Sequence, residues 1–268
     1  MQRSRAAWYA TALTALLLAT GCGLTGKNSD PQAIAPAGAD ASASDSPYET
    51  DEPAPEETTP APRPTKSPAK KSKPKNTPAT PTEDPNNFQL PACAEHEGAK
   101  VSKAKAKSAL VTAAGKTYWP TKAPELKLSS DLVKSVAWHE SGWQSDVVNC
   151  DGGRGLMQVM PDTVDMINSR FGESYNARDY RQNALAGANY LAWLTKYFGE
   201  NYFKNKYDLS PKKCKTYASP CLLNMVIAGY NSGAGAVDAS YASDKSLPNP
   251  DYVAVVRALM ASCYCDRY

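Results

Sequence analysis

The chain has 268 residues, a formal net charge of +3 and only two histidines, His96 and His139. So few histidines, without closely paired Cys-x-x-Cys cysteines, argue against a zinc site, and the sequence predicts neither a metal nor another cofactor. The small positive charge is not concentrated into a basic face interleaved with aromatic residues, which argues against a nucleic-acid partner.

Residues 1–22 are predicted to be an export signal. Arg3 and Arg5 precede an apolar stretch, Trp8 to Ala19, that is too short for a comfortable membrane span. The stretch ends in Leu-Ala-Thr-Gly followed by Cys22, which resembles a bacterial lipobox. That resemblance implies that Cys22 is lipidated and anchors the mature protein. The alternative is an ordinary secretory signal with an incidental cysteine, and either interpretation exports the chain.

Residues 23–91 are predicted to be a disordered linker rich in Pro, Ser, Thr, Lys and Glu. Of the 21 prolines in the chain, 14 lie here, and large apolar residues are almost absent. Such a segment cannot bury enough surface to offset the entropy lost on ordering. The simplest interpretation is a solvated tether. Its basic half, 63–75, could instead contact anionic wall polymers or lipid headgroups.

Residues 92–268 are predicted to form one mainly α-helical domain that is stabilised by disulfides. Strand patterns are scarce, and an even number of cysteines in an exported chain favours disulfide bonds, although sequence cannot select the pairing. A short proline-containing loop between Cys214 and Cys221 could be closed locally. Two further cysteines, Cys263 and Cys265, are so close in sequence that we expect different partners for them. The six candidates are Cys93, Cys150, Cys214, Cys221, Cys263 and Cys265.

Helix signals follow one another along this domain. Ser129 or Ser130 is suited to cap a helix that Gly142 ends in a left-handed conformation. The segment 183–198 is apolar nearly all round, as expected of a central buried helix. Further helices are predicted over 100–116, from Pro161 to Gly172, over 221–230, and from Asn249 and Pro250 onward.

Glu140 lies at the end of one predicted helix and on its apolar face. Leu132, Val136 and Glu140 are spaced by four residues and therefore share that face. Partial burial and the negative end of the helix dipole both raise the pKa of a carboxyl group, which suits a general acid. The alternative is a buried glutamate held by an arginine or a lysine, whose pKa would fall instead.

His139 does not complete a familiar catalytic motif. A His-Glu-x-x-His zinc motif would need histidine at position 143, where Trp143 stands. A serine–histidine–aspartate triad would also depend on His139, which is predicted to point to a different helix face from Glu140. We therefore expect a structural role for His139.

Three short motifs together resemble the Slt-type lytic transglycosylase domain, which has a goose-type lysozyme-like fold. The resemblance covers about Leu128 to Val256, with the motifs in the order and spacing of that family. The motifs are Glu140-Ser141-Gly142, then Gly155-Leu156-Met157-Gln158 with Met160-Pro161, then Ala228-Gly229-Tyr230-Asn231-Ser232-Gly233.

The resemblance implies an enzyme that cleaves the β-1,4 bond between N-acetylmuramic acid and N-acetylglucosamine in peptidoglycan glycan strands. The family glutamate, here Glu140, protonates the departing oxygen and then deprotonates the muramoyl 6-hydroxyl, which closes a 1,6-anhydro ring. Most glycosidases need a second carboxylate. Here the nucleophile, the 6-hydroxyl, belongs to the same sugar as the reacting carbon. Its high effective molarity makes a second carboxylate unnecessary. The expected location is the outer face of the cytoplasmic membrane, with action in the cell wall.

The same resemblance implies further substrate-binding residues. Tyr230 is expected to orient the carboxyl of Glu140, and Tyr252 is a weaker candidate for the groove wall. Asn149 stands where the family usually has serine, so its contact with substrate is expected to differ in geometry. Packing or turn formation would explain the same residues without a functional role. The candidates are Asn149, Met157, Gln158, Tyr230, Asn231 and Tyr252.

Two other functions remain open from the sequence. One is a hydrolytic muramidase in which an aspartate positions a water molecule; the nearby candidates are Asp146, Asp151, Asp162 and Asp165. The other is a lipoprotein that binds peptidoglycan without cleaving it.

Overall fold

The computed structural model describes residues 84–268. The predicted signal with Cys22 and the linker up to residue 83 lie outside the described residues. Within 84–268, seven α-helices and one two-stranded antiparallel sheet form the fold, which confirms the mainly α prediction. None of these helices is long and apolar enough to cross a membrane. The elements are β1 Glu95–His96, α1 Lys103–Gly115, α2 Ser130–Ser141, β2 Val147–Val148, α3 Pro161–Phe171, α4 Tyr180–Tyr202, α5 Leu222–Ser232, α6 Ala234–Asp244 and α7 Pro250–Ala261.

Helix α4 is the centre of the domain. It packs against α1, α3 and α5, while α2 packs against α1 and α7. Small residues allow the close approach: a Cβ added to Gly187 would lie 2.5 Å from the sulfur of Met157, and one added to Gly229 would lie 2.9 Å from the Phe198 ring. The predicted central helix is therefore confirmed, and it extends beyond 183–198 because Asp179 caps it early.

The local signals around α2 hold in the structure. Ser129 caps the helix by accepting a hydrogen bond from the amide of Leu132, and Gly142 ends it at φ +55°. Beyond this turn the buried Trp143 donates its indole hydrogen to the carbonyl of Lys134, at 3.0 Å. The left-handed turn at Gly142 and the hydrogen bond of Trp143 fix the C-terminal end of α2, and with it the position of Glu140.

Helix α6 was not predicted from the sequence. Only Val237 is buried in it, so it has no apolar stripe to indicate a helix. The motif Asn231-Ser232-Gly233 does end α5, but Gly233 also begins α6 directly. The motif is therefore a corner between two helices rather than an exit into a loop.

The six cysteines of the domain form three disulfides. Cys214 pairs with Cys221, as the short loop between them suggested, and Cys93 pairs with Cys150. The expectation of different partners for Cys263 and Cys265 is wrong, since they pair with each other. A short 3-10 turn that begins after Cys263 brings their Cα atoms to 5.0 Å, and the other four cysteines already have partners.

Residues 84–93, which we call the strap, precede the first strand and lie on the helical domain. The Asn86 side chain accepts a hydrogen bond from the amide of Tyr264, at 2.6 Å. The Phe88 ring packs on the core beside Gly142. At its end, Cys93 is bonded to Cys150 in the loop after β2. Most of the strap falls in the segment 23–91 that the composition assigns to the linker.

Candidate active site

A cavity of about 410 Å³ lies beside Glu140. One wall, which we call the helix wall, consists of the end of α2 and the start of α7, with Glu140 and Tyr252. The other lining residues of interest belong to the strap and to the loop after β2, and include Asn149. We call these the loop wall. The cavity therefore joins segments that are far apart in the chain.

Tyr252 holds the carboxyl of Glu140. Its hydroxyl donates to Oε1 of Glu140 at 2.5 Å, and the ring is buried. Helix α7 positions the tyrosine because Asn249 caps that helix, accepting from the amide of Tyr252 at 3.4 Å, and Pro250 occupies its first turn. Tyr252 was predicted only as a weaker candidate for the groove wall, yet it makes the direct contact.

Burial raises the pKa of Glu140 from 4.5 to about 7. The negative charge of Asp151 raises this pKa further, whereas the hydrogen bond from Tyr252 opposes the rise because it stabilises the ionised form. No lysine or arginine within residues 84–268 contributes to the shift. Within residues 84–268, Glu140 is therefore not paired with a cation that would lower its pKa. Its carboxyl group can hold a proton near neutral pH.

Tyr230 does not orient Glu140 as predicted. Its hydroxyl donates to the carbonyl oxygen of Met157 at 2.8 Å, so it is used within the protein interior. It still lies close enough for the charge of Glu140 to raise the pKa of Tyr230, after the larger effect of burial. The residue that orients the carboxyl is Tyr252, which sequence spacing could not distinguish from Tyr230.

Met157 and Gln158 lie in the interior rather than on the wall of this cavity. Met157 is fully buried, and Gln158 is 8% exposed. The Gln158 amide donates to the carbonyls of Gly155 and Val147, at 2.8 and 3.2 Å. The Gln158 side chain thus supports the loop after β2, whereas the Met157 side chain packs against Gly187 of α4. Neither residue lines the cavity beside Glu140, where the groove contacts were expected.

Asparagines supply much of the polar lining. Asn231 accepts a hydrogen bond from Asn249 at 2.5 Å, and both line the cavity. Asn149 also lines it, and its side-chain oxygen accepts from the amide of Cys150 at 2.9 Å. Its NH₂ group is therefore the part available to a ligand. Asn249 was predicted only as a helix start, and its spacing of three residues from Tyr252 could have indicated the shared face.

His139 lines the same cavity as Glu140, so the prediction that it points elsewhere is wrong. Both residues belong to the last turn of α2, and at a helix end two successive side chains can reach one opening. The His139 ring packs edge-on against Tyr252, with centroids 4.8 Å apart. Burial lowers the pKa of His139 because it disfavours the charged form of the ring.

Of the aspartates considered for hydrolysis, only Asp151 acts on Glu140, and it does so through its charge. Asp146 is buried and bound to the ring nitrogen Nδ1 of His96 at 2.9 Å. Asp162 and Asp165 lie on α3, away from the cavity lining. Asp251, which the sequence reasoning missed, does line the cavity. Within 84–268, no group of three or more His, Cys, Asp or Glu residues could hold a metal ion.

Residues 117–252 match the family described as "Transglycosylase SLT domain". The match spans half of the chain and contains Glu140, Asn149 and Tyr252. The chain belongs to this family. The SLT domain thus accounts for the helix wall and for Asn149, while the strap precedes the matched residues.

Relatives with related names match about half of the chain. The membrane-bound lytic murein transglycosylase F of Pseudomonas fluorescens is 28% identical over 135 residues, covering 50% of this chain and 24% of that protein. The protein of the same name from Pseudomonas syringae pv. syringae is also 28% identical, over 50% of this chain and 23% of its own length. This chain therefore spans about a quarter of the length of these relatives.

Among solved structures, the 70 kDa soluble lytic transglycosylase of Escherichia coli is similar over 54% of this chain and 23% of its own length. The identity is 21% and the TM-score is 0.39, a likeness too low to support a structural argument.

Proposed function

We propose that the chain is a peptidoglycan lytic transglycosylase that cleaves the bond between N-acetylmuramic acid and N-acetylglucosamine without water. The observation that carries the proposal is a single glutamate, Glu140, whose pKa is raised to about 7 in a cavity of about 410 Å³. Membership of the SLT family and the names of the murein transglycosylases it resembles support the same reaction.

In the proposed reaction Glu140 acts twice. Its proton passes to the glycosidic oxygen as the bond from C1 to that oxygen breaks, so N-acetylglucosamine leaves with a free hydroxyl. The resulting carboxylate then takes the proton of the muramoyl 6-hydroxyl while O6 bonds to C1. The 1,6-anhydro ring closes, Glu140 is protonated again, and no water is consumed.

The elevated pKa suits both steps. A carboxyl with a pKa near the working pH donates a proton readily and is also an effective base once ionised. Tyr252 orients Oε1 through its hydrogen bond and stabilises the ionised form that follows bond cleavage. We further propose that Asn149 and Asn231 contact the sugars, since both line the cavity beside Glu140.

Product analysis tests the proposal directly. Purified peptidoglycan is digested with the full chain, and the released fragments are analysed by mass spectrometry. The expected products end in 1,6-anhydro-N-acetylmuramic acid, which is lighter than a reducing N-acetylmuramic acid end by the mass of one water molecule, because no water is added. New reducing ends would contradict the transglycosylase, and the absence of new ends would indicate a binding protein.

A hydrolytic muramidase is the second candidate because Asp251 lines the cavity that holds Glu140. A retaining or inverting hydrolase needs such a second carboxylate. If hydrolysis occurs, Asp251→Asn abolishes the reducing ends. If the transglycosylase proposal is correct, this variant still releases anhydro ends and no reducing ends.

We also propose that Cys22 carries a lipid that anchors the protein on the outer face of the cytoplasmic membrane. The lipobox-like residues before Cys22 support this, and two relatives that match half of the chain are named membrane-bound. Cells grown with labelled palmitate should incorporate label into the wild-type protein and not into Cys22→Ala. Equal labelling of the two proteins would remove the anchor from the proposal.

A further inference from the structure

The strap supplies three residues that line the cavity beside Glu140: Phe88, Gln89 and Pro91. All three precede residues 117–252, the part that matches the SLT family. The lining of the cavity beside Glu140 is therefore partly built from a segment that the family match does not include.

Several contacts hold the strap in place. The Phe88 ring lies so close to Gly142 that any Cβ at position 142 would overlap it. Gly142 is thus required twice, once for its φ of +55° and once for the ring. The hydrogen bond of Asn86 to the amide of Tyr264 and the disulfide of Cys93 fix the strap on either side. Because the wall is held before a ligand arrives, little ordering entropy is lost on binding.

The chemistry of the strap fits an uncharged ligand. Phe88 is half-buried and lines the cavity, and Gln89 lines it as well and is exposed. The Gln89 amide makes no hydrogen bond with any residue of 84–268, so its donors and acceptor are free for a ligand. An aromatic ring beside an amide suits a sugar, whose C–H groups pack on the ring while its hydroxyl or acetamido groups bond to the amide.

We propose that the strap is a specificity-determining wall, in which Phe88 and Gln89 bind an N-acetylated sugar next to the bond that is cleaved. This inference rests on the proposed function and adds a contact surface to it. The uncharged pair favours the glycan strand itself over the carboxylates of the peptide stems.

Binding of soluble glycan fragments without peptide stems tests this proposal, using the full chain with Glu140→Gln so that nothing is cleaved. Phe88→Ala and Gln89→Ala are each added to that background. Leu90→Ala and Asn87→Ala are the matched controls, since both lie in the strap and neither lines the cavity. We expect the Kd to rise about tenfold for Phe88→Ala and about fivefold for Gln89→Ala, the latter being the effect of one hydrogen bond. The two controls should bind as the parent does.

The outcomes separate the strap from the proposed function. Equal binding by all four variants overturns the strap proposal, as does equal weakening by the controls. Because Gln89 is exposed and without a described hydrogen bond, its variant remains informative even if Phe88→Ala disturbs the strap. Anhydro ends released by the wild-type chain are measured in parallel, so a failure of the proposed reaction is seen separately. If the Glu140→Gln parent binds no glycan, the strap proposal falls as well.

Discussion

The two walls of the cavity are built in different ways. In the helix wall, Glu140 lies on α2 and Tyr252 on α7. These two helices pack against each other, and most of their apolar residues are buried. The loop wall has little regular structure and is held by one disulfide and a few contacts of the strap. The groups suited to proton transfer lie on the first wall, and uncharged amides and an aromatic ring predominate on the second.

The difference follows from what each task requires. Proton transfer depends on a carboxyl held within a fraction of an ångström and kept out of water, and packed helices provide both. Sugar recognition tolerates small movements, and loops that are tied to a rigid frame commonly carry it. We therefore expect changes on the helix wall to alter the rate and its pH dependence, and changes on the loop wall to alter KM.

The largest expected effect is the loss of activity in Glu140→Gln. Glutamine keeps an oxygen that can accept the hydrogen bond of Tyr252, but it cannot donate and recover the proton. The rate of release of anhydro ends should fall about 1,000-fold, within the usual range for a general acid. Glu125→Gln, at an exposed glutamate, is the control and should retain wild-type activity. Undiminished release by Glu140→Gln would remove this glutamate from the mechanism.

Tyr252→Phe should have the next largest effect. In the wild type the hydrogen bond from Tyr252 to Oε1 lowers the pKa of Glu140. The variant lacks this bond, so the pKa of Glu140 should rise. The alkaline limb of the activity profile should therefore move to higher pH, while kcat falls about 10- to 30-fold, as expected for a hydrogen bond to a charged group.

Tyr230→Phe is the matched control for this variant. It removes a hydroxyl that bonds to the carbonyl of Met157 and not to Glu140. Its alkaline limb should stay in place, although some stability is lost with the buried hydrogen bond. A shift in Tyr230→Phe without one in Tyr252→Phe would reverse the assignment of the two tyrosines.

The helix wall was largely predictable from the sequence because its signals are local. The spacing of Leu132, Val136 and Glu140 indicates the apolar face, and Ser129 and Gly142 mark the helix ends. The raised pKa of Glu140 follows from that position. The spacing could not show which tyrosine reaches the carboxyl. That choice depends on where the fold places Tyr230 of α5 and Tyr252 of α7 relative to α2.

The strap, in contrast to Asn149 on the same wall, was not predictable by the same reasoning. The composition of 23–91 indicates a linker, and nothing local shows that Phe88 packs beside Gly142. The amino-acid composition does change at the end of that segment, where Phe88 and Leu90 interrupt a run without large apolar residues. That change could have indicated that the folded domain begins before residue 92. Cys93 and Cys150 are 57 residues apart in sequence, and only the fold selects their pairing.

The third prediction concerns stability and pH. Between pH 4.5 and about 7 the native state keeps a proton on Glu140 that the unfolded state has released. The contribution of this residue to the free energy of unfolding therefore falls as the pH rises through that window. Glu140→Gln avoids the buried charge and should be more stable than the wild type by about 2 kcal/mol at pH 8, allowing for the partial exposure of the residue.

At pH 4 this stability difference should largely vanish, because both proteins then carry an uncharged group at position 140. Urea unfolding at the two pH values measures it, with the exposed Glu125→Gln as the control. A difference that grows toward acid pH would mean that the carboxylate is stabilised in the native state, contrary to the proposed general acid.

The smallest expected effect belongs to Asn149 on the loop wall. Its side-chain oxygen already accepts from the amide of Cys150, while its NH₂ group makes no hydrogen bond within residues 84–268, so we expect the NH₂ group to donate to a sugar. Asn149→Ala should raise KM about fivefold, the usual effect of one lost hydrogen bond. Asn149→Ser introduces the residue that the resemblance to the family implies at this position and supplies a hydroxyl donor, so KM should change by no more than about threefold. Steady-state kinetics on purified glycan strands measures both, and kcat should stay near the wild-type value. A fall in kcat at constant KM would place Asn149 with the proton-transfer groups and would remove the division of labour between the two walls.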